Sequence, residues 1–165
     1  MDRRDRQERA LNEIFRTHVD AMEPSFKALL EMVPISGSRL PSDIPLRGIY
    51  LFSDGDQHLY VGRSNRIRKR LQDHCRPSSG HNSATFAFRI AREATGSLEA
   101  TYSKKGSRAE LEKNPAFGPA FQDAKARVRA MDIRYVEENE PMRQAILEMY
   151  VALSLETPYN DFDNH

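Results

Sequence analysis

The stretch that decides the fold runs from Gly48 to His74, GIYLFSDGDQHLYVGRSNRIRKRLQDH. Two β-rich runs, 47–52 and 58–62, flank Asp54-Gly55-Asp56 and read as a hairpin. Loop parity decides what that hairpin presents. A two-residue turn puts Tyr50 and Tyr60 on opposite faces of the sheet, whereas a loop of three or five residues puts them on one face. The residues alone leave both open.

A helix follows over about 65–75, with Ser64 or Asn65 as N-cap and Ile67 and Leu71 as its buried stripe. Arg70 and His74 stand four apart on one face of it, at the margin of that stripe, and so reach into a crevice beside the sheet. Arg66, Arg68 and Lys69 point further out. Between Arg63 and Arg76 the basic side chains meet only one acidic residue, Asp73, in a chain whose net charge is +1. Nucleic-acid binding therefore has to come from this local patch and not from overall charge. Taken singly, the bland readings are a solvated helix face with a satisfied histidine and tyrosines packed on a strand. A phenol beside that much positive charge is a different object, because cations favour the phenolate, which can take a proton from water.

With 165 residues, 39% of them apolar and 30% charged, the chain suits one water-soluble globular domain that buries about two-thirds of its unfolded surface. No apolar run of about 18 residues exists, so no membrane span is expected. The first fifteen residues, MDRRDRQERALNEIF, carry charge where a secretory signal needs an apolar core. Cys75 is the only cysteine, which excludes an intrachain disulfide and a cysteine-based zinc cluster. A cytoplasmic setting is expected.

Residues 1–33 read as helix through Leu11, Ile14, Phe15, Val19 and Met22, continuing at Phe26, Leu29, Leu30 and Val33, with Pro24 splitting it. PISGSRLPSDIP (34–45) reads as a linker. The helices before it are expected to pack on the following core or on a second subunit, as in a homodimer. Further on, the pattern predicts a helix over about 82–95 ended by Gly96, an ambiguous strand and turn over 97–106, and helix over 107–130 broken at NPAFGPA (114–120). A third strand follows in MDIRYVEE (131–138), and a last helix over 141–155 begins at a proline and is stopped by Pro158.

In that last helix Met142, Ile146, Met149 and Leu153 form one stripe, and Leu147, Val151 and Leu155 form another. Glu148 points the same way as the second. A buried carboxylate is costly unless it is paired, protonated or metal-bound. Pairing with an arginine of the basic helix, or partial exposure, is the plainer alternative.

These blocks resemble the GIY-YIG nuclease family. GIY, nine intervening residues and YVG match its signature, with Val61 in place of the usual isoleucine. Arg70 stands where the family has a catalytic arginine, His74 where several members have an active-site histidine, and LEMYVALSLETPYN (147–160) resembles the closing segment that supplies a metal-binding glutamate and an asparagine, here Glu148 and Asn160. The resemblance covers about 47–160. It implies an α+β fold with a small three-stranded antiparallel sheet flanked by helices. The rest of the chain then divides into an N-terminal helical extension and linker (1–46) before the nuclease domain (47–165), which carries a helical insertion near 97–130.

The resemblance also implies function: an endonuclease hydrolysing DNA phosphodiester bonds, duplex DNA as partner, and Mg²⁺ or Mn²⁺ held by Glu148. Tyr50 would be general base, Tyr60 and Asn160 would complete the site, His74 would polarise Tyr50, and Arg70 would stabilise the transition state. Arg63, Arg66, Arg68 and Lys69 would contact phosphates, and His81 is a further candidate. These roles require both tyrosines on one face. The alternative is a nucleic-acid-binding or protein-interaction module that keeps the scaffold without turnover.

Overall fold

The computed structural model describes residues 3–97 and 107–162. Helices α1 (Arg3–Asp20) and α2 (Glu23–Glu31) come first, divided just before Pro24, and are followed by the strands β1 (Ile35–Ser36), β2 (Gly48–Asp54) and β3 (Gln57–Ser64). Next are α3 (Ile67–Cys75), α4 (Thr85–Ala94), α5 (Arg108–Lys113), α6 (Phe117–Ala130), β4 (Asp132–Glu137) and α7 (Pro141–Leu155). The strand and turn expected over 97–106 lie, beyond Ser97, outside the described residues.

β2 and β3 form the expected hairpin, and its turn is the two-residue Gly55-Asp56, with Asp54 opposite Gln57. By alternation alone that turn separates the two tyrosines. It does not, because Ser53 pairs with His58 while Phe52 pairs with Tyr60, which leaves Leu59 as an extra residue in β3. This β-bulge shifts the alternation by one. From Tyr60 onward each side chain of β3 changes face, and Tyr60 joins Tyr50 and Phe52. The same-face arrangement thus comes from a bulge and not from an odd loop.

The sheet is antiparallel throughout, in the order β1-β4-β2-β3. It has four strands where three were expected, because Ile35 and Ser36 of the linker pair with Ile133 and Asp132 at the outer edge of β4. Both faces are covered by helices, which explains why β2 is buried through six consecutive residues. On one face Tyr50, Phe52 and Ile133 pack with Ile67 and Leu71 of α3, Phe86 of α4 and Phe121 of α6. On the other, Ile49, Leu51 and Val61 pack with Leu29 of α2 and with Leu147 and Val151 of α7. The stripe of α7 that contains Leu147 and Val151 therefore faces inward, while Met142, Met149 and Leu153 are exposed. Among the described residues no helix is long and apolar enough to cross a membrane.

The start of α3 differs from the sequence reading, and α7 ends at Leu155 as expected but by another device. α3 starts at Ile67 with Arg66 as cap and no capping side chain. The orphan N–H of Ile67 is satisfied by the Leu46 carbonyl at 3.0 Å, and Ser64 accepts instead from the Arg66 N–H. α7 ends before Pro158, at Glu156 in the left-handed conformation (φ 49°). That reversal lays the following residues along β3. The Tyr159 N–H bonds Leu59 O at 3.1 Å, and the Asn160 amide both accepts from the Val61 N–H (2.9 Å) and donates to Val61 O (2.7 Å). The outer edge of β3, which would otherwise offer free ladder groups to another strand, is closed by the chain's own tail.

Both glycines that begin and end the signature answer a packing demand. Gly48 has φ 151° and lies against the Val136 carbonyl. Gly62 sits opposite Tyr50, and a Cβ there would run into the Tyr50 ring and hydroxyl. Gly62→Ala is expected to cost about 1–3 kcal/mol, the range for forced overpacking, read as a lower denaturant midpoint at unchanged m-value. An unaltered midpoint would show that the ring has room to move.

Candidate active site

Tyr50, Tyr60 and His74 meet on the inner face of the hairpin. Their ring centroids lie 5.7 Å (Tyr50–His74), 5.8 Å (Tyr60–His74) and 6.4 Å (Tyr50–Tyr60) apart, and Phe52 and Phe86 complete the cluster. Tyr50 Oη is 3.1 Å from His74 Nε2. His74 is fully buried, and its Nδ1 has no partner. A buried N–H without an acceptor is the costlier orphan, so the neutral ring carries its proton on Nε2 and donates it to Tyr50 Oη.

Arg70 leaves the same helix face one turn earlier. Its guanidinium donates to Ser83 O (2.9 Å) and to Thr85 Oγ1 (2.8 Å), at the start of α4. These two anchors were not expected from the sequence. Ser83 and Thr85 carry no pattern of their own and acquire a role only because α4 packs across α3.

Burial pushes the Tyr50 hydroxyl well above the usual phenol range, Tyr60 adds to that rise, and Arg70 opposes it. Tyr60 is raised too, again mainly by burial. Arg70 favours the phenolate, as expected from its charge, but burial is the larger effect in the resting protein. Desolvation outweighs the arginine, and both phenols are neutral at pH 7. His74 is held well below its ordinary value, first by burial and then by Arg70.

Glu148 approaches from α7. Its Oε2 accepts from Arg63 Nε at 2.9 Å, in a pair whose side chains are 20% and 48% exposed. Burial raises the Glu148 carboxyl above its usual range, and Arg63 lowers it. The pairing with an arginine that the sequence allowed is thus present, from the end of β3 and not from the basic helix. Arg63 is accordingly engaged, as are Arg68, which donates to Pro41 O (3.2 Å), and Lys69, paired with Asp73 (2.8 Å). Of the four basic side chains singled out for phosphate, Arg66 alone is exposed with no side-chain partner among the described residues. Asn160 is committed to the Val61 backbone, braced by Thr157 Oγ1 at 2.8 Å. It therefore holds β3 in place beside Tyr60. His81 is held by Glu112 of α5, and no bond or ring contact joins it to the tyrosine cluster among the described residues.

A model of the GIY-YIG catalytic domain matches residues 46–160, more than two-thirds of the chain. The chain belongs to the GIY-YIG family. Its fold is the expected α+β arrangement, and membership carries a nuclease-type function and a nucleic-acid substrate. Comparison with curated proteins and with solved structures returns no match.

Among the described residues no three His, Cys, Asp or Glu side chains gather as metal ligands. A lone, part-buried carboxylate does not suit a zinc-type site with three or four protein ligands. It does fit a hard cation such as Mg²⁺, which keeps most of its waters and completes its shell with substrate phosphate oxygens.

The buried neutral His74 makes a stability prediction. Its folded pKa lies below the unfolded value of about 6.5, so the unfolded chain binds the extra proton and stability falls as pH drops below about 6.5. Part of the loss in melting temperature between pH 7 and pH 5 should disappear in His74→Phe, which keeps the ring packing without the titration. An identical pH dependence in both proteins would contradict the buried neutral ring.

Proposed function

We propose that this protein is a metal-dependent endonuclease that hydrolyses phosphodiester bonds in DNA, with the site at the Tyr50–Tyr60–His74–Arg70 cluster and Glu148. The observation that carries the reading is the hydrogen bond between Tyr50 Oη and His74 Nε2 at 3.1 Å, with Arg70 anchored beside it. Any buried tyrosine hydroxyl takes a polar partner; here that partner is a titratable imidazole with an arginine one turn away on the same helix.

In the proposed reaction a water oxygen attacks phosphorus, the bond to the 3′-oxygen breaks, and the products carry a 5′-phosphate and a 3′-hydroxyl. Tyr50 takes the proton from the attacking water. His74 Nε2–H stays donated to Tyr50 Oη, fixing the phenol and offsetting the negative charge of its ionised form. Tyr60, half-buried on the same face, orients the water or the phosphate. Arg70 faces the pentavalent phosphorus, where the extra negative charge develops. Glu148 would hold the divalent cation, Mg²⁺ or Mn²⁺, which supplies neutralising charge at the phosphate and the leaving oxygen. Arg63 places that carboxylate and favours its ionised form against burial. Arg66 is free to contact the flanking backbone.

A tyrosine base that is neutral at rest has a kinetic consequence. Only its ionised form accepts the proton, and its pKa is raised, so kcat/KM for a duplex oligonucleotide should rise with pH through the neutral range and keep rising toward pH 9. Tyr50→Phe should fold normally and lose roughly 10²–10⁴-fold in rate, the usual contribution of general-base catalysis. Near-normal turnover by Tyr50→Phe, or a rate independent of pH over that range, would remove Tyr50 from the role.

A further inference from the structure

Across α3 from the tyrosines lies a second feature that the catalytic proposal does not use. A pocket of about 220 Å³ opens between α3, the segment after β1 and the end of α6. Three arginines line it, Arg68 of α3, Arg76 capping the end of that helix and Arg129 from the last turn of α6, with Ser38 at the exposed rim and Gln72 and Cys75 in the wall. No carboxylate lines it.

None of these arginines is in an ion pair among the described residues. The bonds that Arg68 and Arg76 do make go to neutral acceptors, the Pro41 carbonyl at 3.2 Å and Gln72 Oε1 at 3.4 Å. Nor does Cys75 supply a countercharge. Burial pushes its thiol up to about 12 against the pull of Arg129, so it stays protonated. Three arginines thus line a space that no carboxylate of the protein enters.

We propose that this pocket binds a phosphate group of the nucleic-acid backbone distant from the scissile one. This rests on the nuclease reading above and extends it. Guanidinium forks match phosphate oxygens bidentately. The pocket is smaller than the roughly 300–1,000 Å³ of sites that enclose drug-sized ligands, yet at about 30 Å³ per water it holds a phosphate with several waters. It has no aromatic wall, so it offers nothing for a base to stack on. The contact is to the backbone and is indifferent to sequence.

Placement supports a backbone contact. At 100° per residue, Arg68, Gln72 and Arg76 follow one flank of α3, and Arg70 and His74 lie on the opposite flank. A helix with its side chains is roughly 10–12 Å across, about the width of the duplex major groove. The exposed ridge between those flanks carries Arg66 and Lys69. A nucleic acid laid on that ridge would present one phosphate to Arg70 and another to the three-arginine pocket.

The test measures binding of fluorescein-labelled duplex DNA by anisotropy over a range of potassium chloride, in EDTA so that no turnover intervenes. It compares wild type, the double variant Arg76→Gln/Arg129→Gln, and Ser38→Glu, which puts a negative charge at the exposed rim without touching the arginines. The expected result is a three- to tenfold weaker affinity in both variants. The double variant should also lose about one unit from the slope of log K against log salt, the signature of one lost phosphate contact. Melting curves with and without inorganic phosphate at constant ionic strength form the second arm. Wild-type affinity and slope in both variants would overturn the proposal. If the variants lose stabilisation by inorganic phosphate but keep their DNA affinity, the pocket takes free phosphate, and the backbone assignment is wrong. If wild type itself fails to bind duplex at any salt, the DNA reading fails along with this one.

Discussion

One inserted residue in β3 brings the two tyrosines of the candidate site onto one face. Because Leu59 has no partner of its own, the residues after it are turned over relative to those before it, and Tyr60 enters the layer of Tyr50, Phe52 and His74 while Val61 enters the layer of Leu147 and Val151. Without the bulge the two-residue turn would send the Tyr60 hydroxyl into the apolar layer under α7, where nothing polar waits for it, and Val61 into the aromatic cluster. The tail reinforces the bulge, since Tyr159 and Asn160 bond the backbone of Leu59 and Val61 and fix the strand from its outer side. The placement of the Tyr60 phenol is thus built from backbone pairing before any side-chain chemistry enters.

The electrostatics of the site follow from how deeply that geometry buries it. The arginines around the tyrosines do favour an anion, as their number suggests, but desolvation is the larger effect on both phenols and on His74. A resting site of neutral phenols and a neutral imidazole is compatible with a packed core, where a standing phenolate would be costly. Glu148 shows the same balance at the site's margin. It is only partly buried, its carboxyl is still raised above the usual range mainly by burial, and Arg63 beside it opposes that rise. The two kinds of group are kept apart, with the rings inside and the carboxyl at the rim.

Much of this was legible in the sequence, where the signal was a period or a motif. The hairpin, the split at Pro24, the break between α5 and α6, and α7 from Pro141 to Leu155 all follow from alternation, helical spacing and proline placement. The α3 face that carries Arg70 and His74 follows from their spacing of four. What was not legible depends on partners distant in the chain. The bulge leaves only the adjacent apolar pair Leu59-Tyr60 as a trace. β1 is two residues of a Pro/Ser/Gly-rich segment that become strand because β4 has an open edge. The start of α3 at Ile67 is set by the Leu46 carbonyl, the anchoring of Arg70 by Ser83 and Thr85, and the bonding of Asn160 by the Val61 backbone. Arg129 joins Arg68 and Arg76 only through the packing of α6 beside α3. The net shift of the tyrosines was misjudged for a related reason: charge is visible in a sequence, whereas depth of burial is not.

The central claim is that Glu148 and the tyrosine cluster form a working, metal-dependent phosphodiesterase. Its most direct test is the conversion of supercoiled plasmid to nicked or linear product by wild type and by Glu148→Gln, each with Mg²⁺, with Mn²⁺ and with EDTA. The account predicts cutting by wild type with either cation and none in EDTA. Glu148→Gln should fail to cut under every condition while still binding the plasmid, because the lost charge lay beside Arg63 and repelled phosphate. Cutting by wild type in EDTA, or cutting by Glu148→Gln at the wild-type rate, would contradict it.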